Sequence, residues 1–492
     1  MTLPPLPPAG ESPGTILDAL AELRSEDLDY TRATSYHFES GDDEVREVAI
    51  AAAATAWGRN GLDPTAFPSV AAVENDLVAA ALELHGDLPG AVGTVTSGGT
   101  ESCMLAVLQA REAYRADGGE GRPQMLLPVT AHPAFRKGAW LFDVDVVDIG
   151  LDDHFRVDER QMIDSLSDRT ALVVVSAPSY AHGVIDPVAS IAAAAQARGV
   201  RCHLDMCIGG WVLPFIRQEE GEPPIDLTVP GVTSVSMDLH KYGYAPKGAS
   251  VLLNRTAHDR GLQYFADAAW PGYPLVNNTL ASSRSVAPAA SAWAVLHLLG
   301  RQGLREAALK ARRGALRIAH EVEQMPGLRL VAPPESTLVC IADTGDPNGP
   351  DVRIVADEAK ALGWSLQVQP PRGSSPANLH ITVSAGIADR VDELLAVLAE
   401  ATVRARGRAR VDPDPSLVQA AATVDVEALD DDTTAALLAM AGLGAGGGAL
   451  PERMAGVNAL LGALPVPLVE KLLKAVFSQV FTAPGSSPDE AR

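Results

Sequence analysis

Cysteine is scarce in this 492-residue chain, where Cys103, Cys202, Cys207 and Cys340 are the whole complement. Four thiols without C-x-x-C spacing cannot staple a chain of this length, so they read as reduced thiols rather than a disulfide framework. Positive charge is also short: 39 Lys and Arg stand against 62 Asp and Glu, for a formal net charge of -23. Such a surface repels a phosphate backbone, and nucleic acid is not an expected partner. No uncharged apolar run approaches the ~18 residues of a membrane span. The opening Met1-Thr-Leu-Pro-Pro-Leu-Pro-Pro has neither the basic nor the apolar region of a signal peptide. The expectation is a cytoplasmic protein with no membrane anchor. The histidines include no H-E-x-x-H and no Cys/His quartet at zinc spacing, so no metal is expected. His85, His154, His258, His297 and His320 read as surface or core residues.

What the chain does have is apolar residues, 47% of the total, enough for a large core and two or three domains. A Pro-rich start with a short amphipathic helix over Ile16–Arg24 forms an N-terminal arm, residues 1–50. Over 51–285, short β-branched runs alternate with helical patterns: Gln124–Leu127, Val144–Ile149, Ala171–Ser176, Val200–Asp205, Thr233–Met237 and Ala249–Leu253. That alternation predicts a large α/β domain with a mostly parallel sheet covered on both faces. Residues 286–410 predict a smaller α+β domain. It starts with an Ala- and Leu-rich helix, Ala287–Glu323, and continues with strands at Leu328–Val331, Thr337–Ile341 and Leu379–Val383 and a helix over Asp389–Arg404. Residues 411–492 read as a linker, Pro413–Gly448, followed by an apolar tail. Gly442-Leu-Gly-Ala-Gly-Gly447 fits G-x-G-x-x-G, but it follows a helical pattern rather than a strand and reads as flexible chain, not a dinucleotide site.

Three stretches carry chemistry. In Thr96-Ser-Gly-Gly-Thr-Glu-Ser102, Gly98, Gly99 and Thr100 open a helical pattern, where unpaired N–H groups and absent side chains suit an anion; alone, such a pair of glycines is more often just a turn. In His203-Leu-Asp-Met-Cys-Ile-Gly-Gly210, Asp205 ends an apolar strand, the place where open α/β sheets bind ligands. In Ser236-Met-Asp-Leu-His-Lys-Tyr-Gly-Tyr-Ala-Pro-Lys247, Lys241 leaves another strand end. Desolvation and cationic neighbours are expected to lower its pKa and make it a Schiff-base former.

With Asn60-Gly-Leu-Asp-Pro-Thr-Ala-Phe-Pro68, Thr130-Ala-His-Pro-Ala-Phe135, His182-Gly-Val-Ile-Asp-Pro187 and Leu280-Ala-Ser-Ser-Arg284, these stretches resemble sphingosine-1-phosphate lyase, within the group II decarboxylases that need pyridoxal 5′-phosphate (PLP). The resemblance runs from about Asn60 to Arg284. It implies the type I aminotransferase fold, with a Schiff base between PLP and Lys241 and with Asp205 on the pyridine nitrogen. His132 would stack on the ring. Gly98, Gly99, Thr100 and His240 would hold the phosphate, with Ser283 reaching it from the second subunit of a homodimer. His203 and Lys247 would complete the site. The activity implied is that of a carbon–carbon lyase on a small-molecule amine or amino acid. An amino-acid decarboxylase releasing CO2 is the alternative, and a non-catalytic PLP-binding relative comes third.

The chain departs from the family pattern on the substrate side. Asn60 is followed three residues on by Asp63, where relatives acting on phosphorylated sphingoid bases carry a histidine. A carboxylate there opposes a phosphate dianion, and a different substrate is expected. The family's active-site tyrosine falls on Glu39, unless a short gap restores Tyr36. Ser282 replaces a glycine, and Leu275 stands where tyrosine is common. The substrate contacts expected are Tyr36, Glu39, Asn60 and Asp63.

Overall fold

Seven strands build the large sheet: β1 (Val92–Thr96), β2 (Gln124–Pro128), β3 (Asp145–Ile149), β4 (Thr170–Ser176), β5 (Arg201–Asp205), β6 (Val232–Met237) and β7 (Ser250–Asn254). They are seen in a computed structural model that describes residues 5–413, 415–440 and 451–482. The order is β1-β7-β6-β5-β4-β2-β3, and only β7 runs antiparallel to its neighbours. Every residue of β4 and β7 is buried, as expected where helices cover both faces of a sheet. The fold class expected from the β-branched runs is the one observed, with β1 added. Its Gly93 interrupts the β-branched pattern that marks the other strands, and a Cβ there would meet Val78 and Leu253.

The helix Ala287–Glu323 links the large sheet to the second domain and kinks at Gly300, whose φ of 58° lies in the left-handed region. Four short antiparallel strands follow, in the order Leu328–Leu330, Leu338–Asp343, Asn378–Thr382 and Gln367–Gln369. Helices Val352–Ala361 and Val391–Ala405 pack over them on an apolar core that includes Trp364, Ile381 and Leu394. The arm docks on this small domain: Ala33 pairs with Ser365, and the Thr382 amide donates to the Thr34 carbonyl at 2.8 Å. Tyr36 and Phe38, just beyond this anchor, are thereby carried to the junction of the two domains.

The linker expected over Pro413–Gly448 contains two helices, Pro415–Ala422 and Asp431–Met440. Alanine and leucine between the acidic residues supply the helix propensity that the Asp- and Gly-rich composition masked. The G-x-G-x-x-G at 442–447 lies outside the described residues. Helices Ala455–Ala463 and Val466–Val480 close a small core around Leu438, Leu464, Leu468 and Leu472. Arg372 ties this unit to the small domain through the carbonyls of Leu461 and Gly462. Among the described residues, no helix is long and apolar enough to cross a membrane.

Candidate active site

The register of the parallel strands sets Ser176, Asp205 and Ser236 side by side where β4, β5 and β6 end. A cleft of about 460 Å³ opens there, lined at its floor by Asp205, Cys103 and Cys207 and at its flank by Lys241 and His132. Asp205 is buried. Its Oδ1 accepts the Cys207 amide at 3.0 Å and the Ser236 hydroxyl at 3.3 Å, and Oδ2 is left to the cleft. His203 does not line this cleft. It sits beneath, with one ring nitrogen 2.8 Å from Ser234 Oγ and the other 3.1 Å from Ser236 Oγ, and burial pushes its pKa down to about 4. It therefore orients Asp205 through Ser236 as a neutral ring.

Lys241 stands 2.9 Å from the carboxylate of Asp238, which is 1% exposed. The expected lowering of the lysine pKa is corrected here. Burial is the strongest single influence and pulls it down, but Asp238, Cys207 and Asp205 together hold the ammonium above the ordinary lysine range. The same pairing keeps Asp238 well below the ordinary carboxylate range in spite of its burial. Asp238 Oδ1 has no hydrogen-bond partner. The sequence held a signal for this residue, a charge at a buried strand end three positions before Lys241, but no role was read from it.

The stretch expected to cradle phosphate lies where β1 turns into the helix Gly99–Ala116. Gly98 adopts φ 155°, ψ 170°, a glycine conformation. A Cβ on Gly99 would lie 2.7 Å from both Asp238 oxygens and 2.8 Å from Cys207 Sγ. Gly99→Ala is therefore expected to weaken PLP binding by about 5- to 150-fold, from an overpacking cost of about 1–3 kcal/mol. Titration of apoprotein by fluorescence checks this, with Gly261→Ala, where a Cβ meets nothing within 4 Å, as the neutral control. His240 abuts the cradle, but its nitrogens are committed elsewhere. Nδ1 accepts the amides of Gly248 and Ala249, both at 3.3 Å, and Nε2 lies 3.5 Å from Asp238. His240 thus lies between the cradle, where its ring meets Gly98, and the carboxylate that pairs with Lys241.

His132 opens onto the cleft with Nδ1 accepting the Ala134 amide at 3.2 Å, which places the proton of the neutral ring on Nε2. The cleft walls, and then the Lys241 charge, push its pKa down. Lys247 donates to the His240 carbonyl at 3.0 Å and lies over the Phe38 ring at 5.2 Å. Burial, and then repulsion from Lys241, lowers its pKa to about 8.

On the substrate side the structure divides the expected residues. Tyr36 reaches the cleft rim in a left-handed conformation, φ 68°. Glu39 does not line the cleft; its carboxylate pairs with His37 at 3.0 Å, which holds its pKa down. Asp63 does not reach the cleft either. It caps its own turn through Thr65 and Ala66 and lines a separate hollow with Arg284 and Tyr273. Asn60 braces the Ser283–Arg284 turn, accepting the amide of Arg284 and donating to Ser283 Oγ at 3.4 Å. Ser283 is exposed and also outside this cleft. Sequence reasoning missed Phe38, Thr382 and Tyr180, which complete the wall. Tyr180 donates to Gln367 at 2.6 Å and stacks on His380 with centroids 4.0 Å apart. It also missed that Cys103, Asp205 and Cys207 bring three possible ligand atoms within 4.8 Å of one another.

The residues present suit PLP. A cradle that only glycine fills, a strand-end carboxylate with one free oxygen and a lysine stand around one cleft, each matched to a different end of that molecule. Residues 48–342 match the family described as "Pyridoxal-dependent decarboxylase conserved domain", and 415–479 match "Pyridoxal-dependent enzyme, C-terminal putative HTH domain". The sphingosine-1-phosphate lyase of Arabidopsis thaliana is 34% identical over 354 residues, covering 70% of this chain and 64% of that protein. The chain thus spans less than two thirds of that relative's length. The solved structure of a sphingosine-1-phosphate lyase from Burkholderia pseudomallei is 32% identical with a TM-score of 0.76, covering 82% of this chain and 94% of that one. A Methanothermobacter thermautotrophicus protein named "Probable L-tyrosine/L-aspartate decarboxylase" is 29% identical over 338 residues, 68% of this chain and 88% of that protein. Fold and site together define a PLP-dependent enzyme. The chain belongs to the pyridoxal-dependent decarboxylase family, as a sphingosine-1-phosphate lyase-like member.

Proposed function

We propose that the chain is a PLP-dependent carbon–carbon lyase acting on an amine or amino acid. The observation that carries this reading is Lys241, paired with Asp238 in the cleft that Asp205 also lines and that Tyr36, Phe38 and Tyr180 wall. PLP, when bound, supplies an electron sink for the bond broken at Cα. The protein's share is to bind and orient. Asp205 Oδ2 would accept a hydrogen bond from the pyridine nitrogen, the cradle amides would hold the phosphate, and His132 Nε2–H and Lys247 stand ready to hold or move a proton. The aromatic wall keeps water from the reacting carbon.

Among the described residues, Lys247 is the one ammonium lining the cleft besides Lys241. Its pKa of about 8 means that it is charged below that pH and neutral above. For a substrate bearing a carboxylate, KM is expected to rise several-fold between about pH 7 and about pH 9. Lys247→Gln is expected to show the high KM throughout and no rise. A flat wild-type profile contradicts this role.

The substrate is proposed to differ from a phosphorylated sphingoid base, although the reason offered by Asp63 does not hold within one subunit. The support now is a lining that, among the described residues, holds no guanidinium. A screen of amines, amino acids and β-hydroxy amines that follows aldehyde and carbon dioxide separately tests the reading. Aldehyde release supports a Cα–Cβ lyase, and CO2 release alone assigns the carboxy-lyase activity. Turnover of a phosphorylated sphingoid base at an ordinary enzymatic rate overturns the substrate assignment.

We further propose a homodimer. Ser283 can serve a cofactor phosphate only in a second copy, and Trp270, Tyr273, Val276 and Leu280 expose apolar surface beside it. Four buried, unbridged thiols fit a cytoplasmic location. The matched C-terminal unit 415–479 carries seven acidic and three basic side chains, a balance that repels DNA.

A further inference from the structure

We infer that Glu101 is a positioning residue that clasps the phosphate cradle to the segment carrying Ser283; this rests on the reading that PLP phosphate sits at Ser97–Thr100. Glu101 lies in the first turn of the helix Gly99–Ala116, lines the cleft and is 6% exposed. A carboxylate beside a phosphate site is an unfavourable choice on charge alone. Its hydrogen bonds explain it. Oε2 accepts the Ser97 amide at 2.6 Å, and Oε1 accepts the Leu280 amide at 2.8 Å. Both donors are neutral backbone groups, and the first-turn position near the helix N-terminus favours the negative charge.

The two amides belong to different elements. Ser97 opens the cradle, between β1 and Gly98. Leu280 lies in the stretch that Asn60 braces at Ser283 and Arg284, and Gln263 holds at the Asn278 carbonyl. Glu101 is the side chain that joins this stretch to the cradle. Tightening the cradle around phosphate therefore fixes Glu101, and Glu101 fixes Leu280, three residues before Ser283. Glutamine cannot replace it: one end of the amide accepts an N–H, but the other points an NH2 group at a second N–H.

Hydrogen exchange by mass spectrometry on the full-length protein, with and without PLP, tests the clasp. In the wild type, PLP is expected to slow exchange several-fold both around Ser97–Glu101 and across 275–286. E101Q is expected to weaken PLP about tenfold. At saturating PLP it is expected to keep protection at the cradle while losing it across 275–286. A segment 275–286 that stays protected in E101Q overturns the clasp, as does a PLP affinity of E101Q within twofold of wild type. Should E101Q fail to fold, the wild type alone decides. Protection at the cradle without protection at 275–286 overturns the clasp, and no protection at the cradle overturns the phosphate reading beneath it.

Discussion

Lys241→Ala is expected to lose the visible absorption near ~420 nm that marks PLP joined to a protein amine, and to lower kcat/KM by about 10⁴-fold. Lys247, the other ammonium lining the cleft, is held by the His240 carbonyl 3.0 Å away. The loss also reaches the folded state. Asp238 would keep only His240 as a partner, at 3.5 Å, in a position 1% exposed. Breaking a buried pair in this way costs about 3 kcal/mol, because one charge stays behind. The apoprotein of Lys241→Ala should therefore melt earlier than wild type, and Lys241→Ala/Asp238→Asn should recover most of that stability without recovering the absorption. Spectra and thermal unfolding of the three proteins check both halves. A double variant as unstable as the single one would show that Asp238 is not held by Lys241.

The second large effect is expected at Asp205. In Asp205→Asn the amide oxygen can still accept the Cys207 amide and the Ser236 hydroxyl, so the loop after β5 should stand. The other end becomes NH2, which cannot accept a proton from the pyridine nitrogen. PLP should still load, while kcat at saturating PLP falls about 10³-fold. A fall of less than tenfold would remove Asp205 from the role its free oxygen suggests. His203→Ala should give a smaller version of the same defect, because His203 reaches Asp205 only through Ser236.

The cofactor half of this site was legible in the sequence for a local reason. Asp205 ends one strand and Lys241 follows another, each announced by a β-branched run, and the Gly98–Gly99 turn opens a helical pattern. The substrate half was not, because it is assembled across the chain. Tyr180 owes its position to His380 and Gln367, two hundred residues away in another domain. Phe38 and Tyr36 arrive because Thr34 bonds to the strand Asn378–Thr382. Counting back from Asn60 pointed to Glu39, but the cleft receives Tyr36, since the turn at Tyr36 takes a left-handed conformation that no spacing rule reveals. Asp63 misled for a related reason. Its neighbour Thr65 gives it a turn-capping task, and a capped aspartate looks like a free one when only residue order is known. The lysine pKa was misjudged because Asp238, three residues back, joins Cys207 and Asp205 in offsetting the burial that its strand-end position made evident.

Reduction of the PLP-loaded protein with sodium borohydride, followed by peptide mapping, tests the central claim most directly. The account predicts a single pyridoxyl group fixed to Lys241, with Lys247 unlabelled. A label on Lys247 or on any other lysine, or no covalent label in protein that retains PLP, would contradict it.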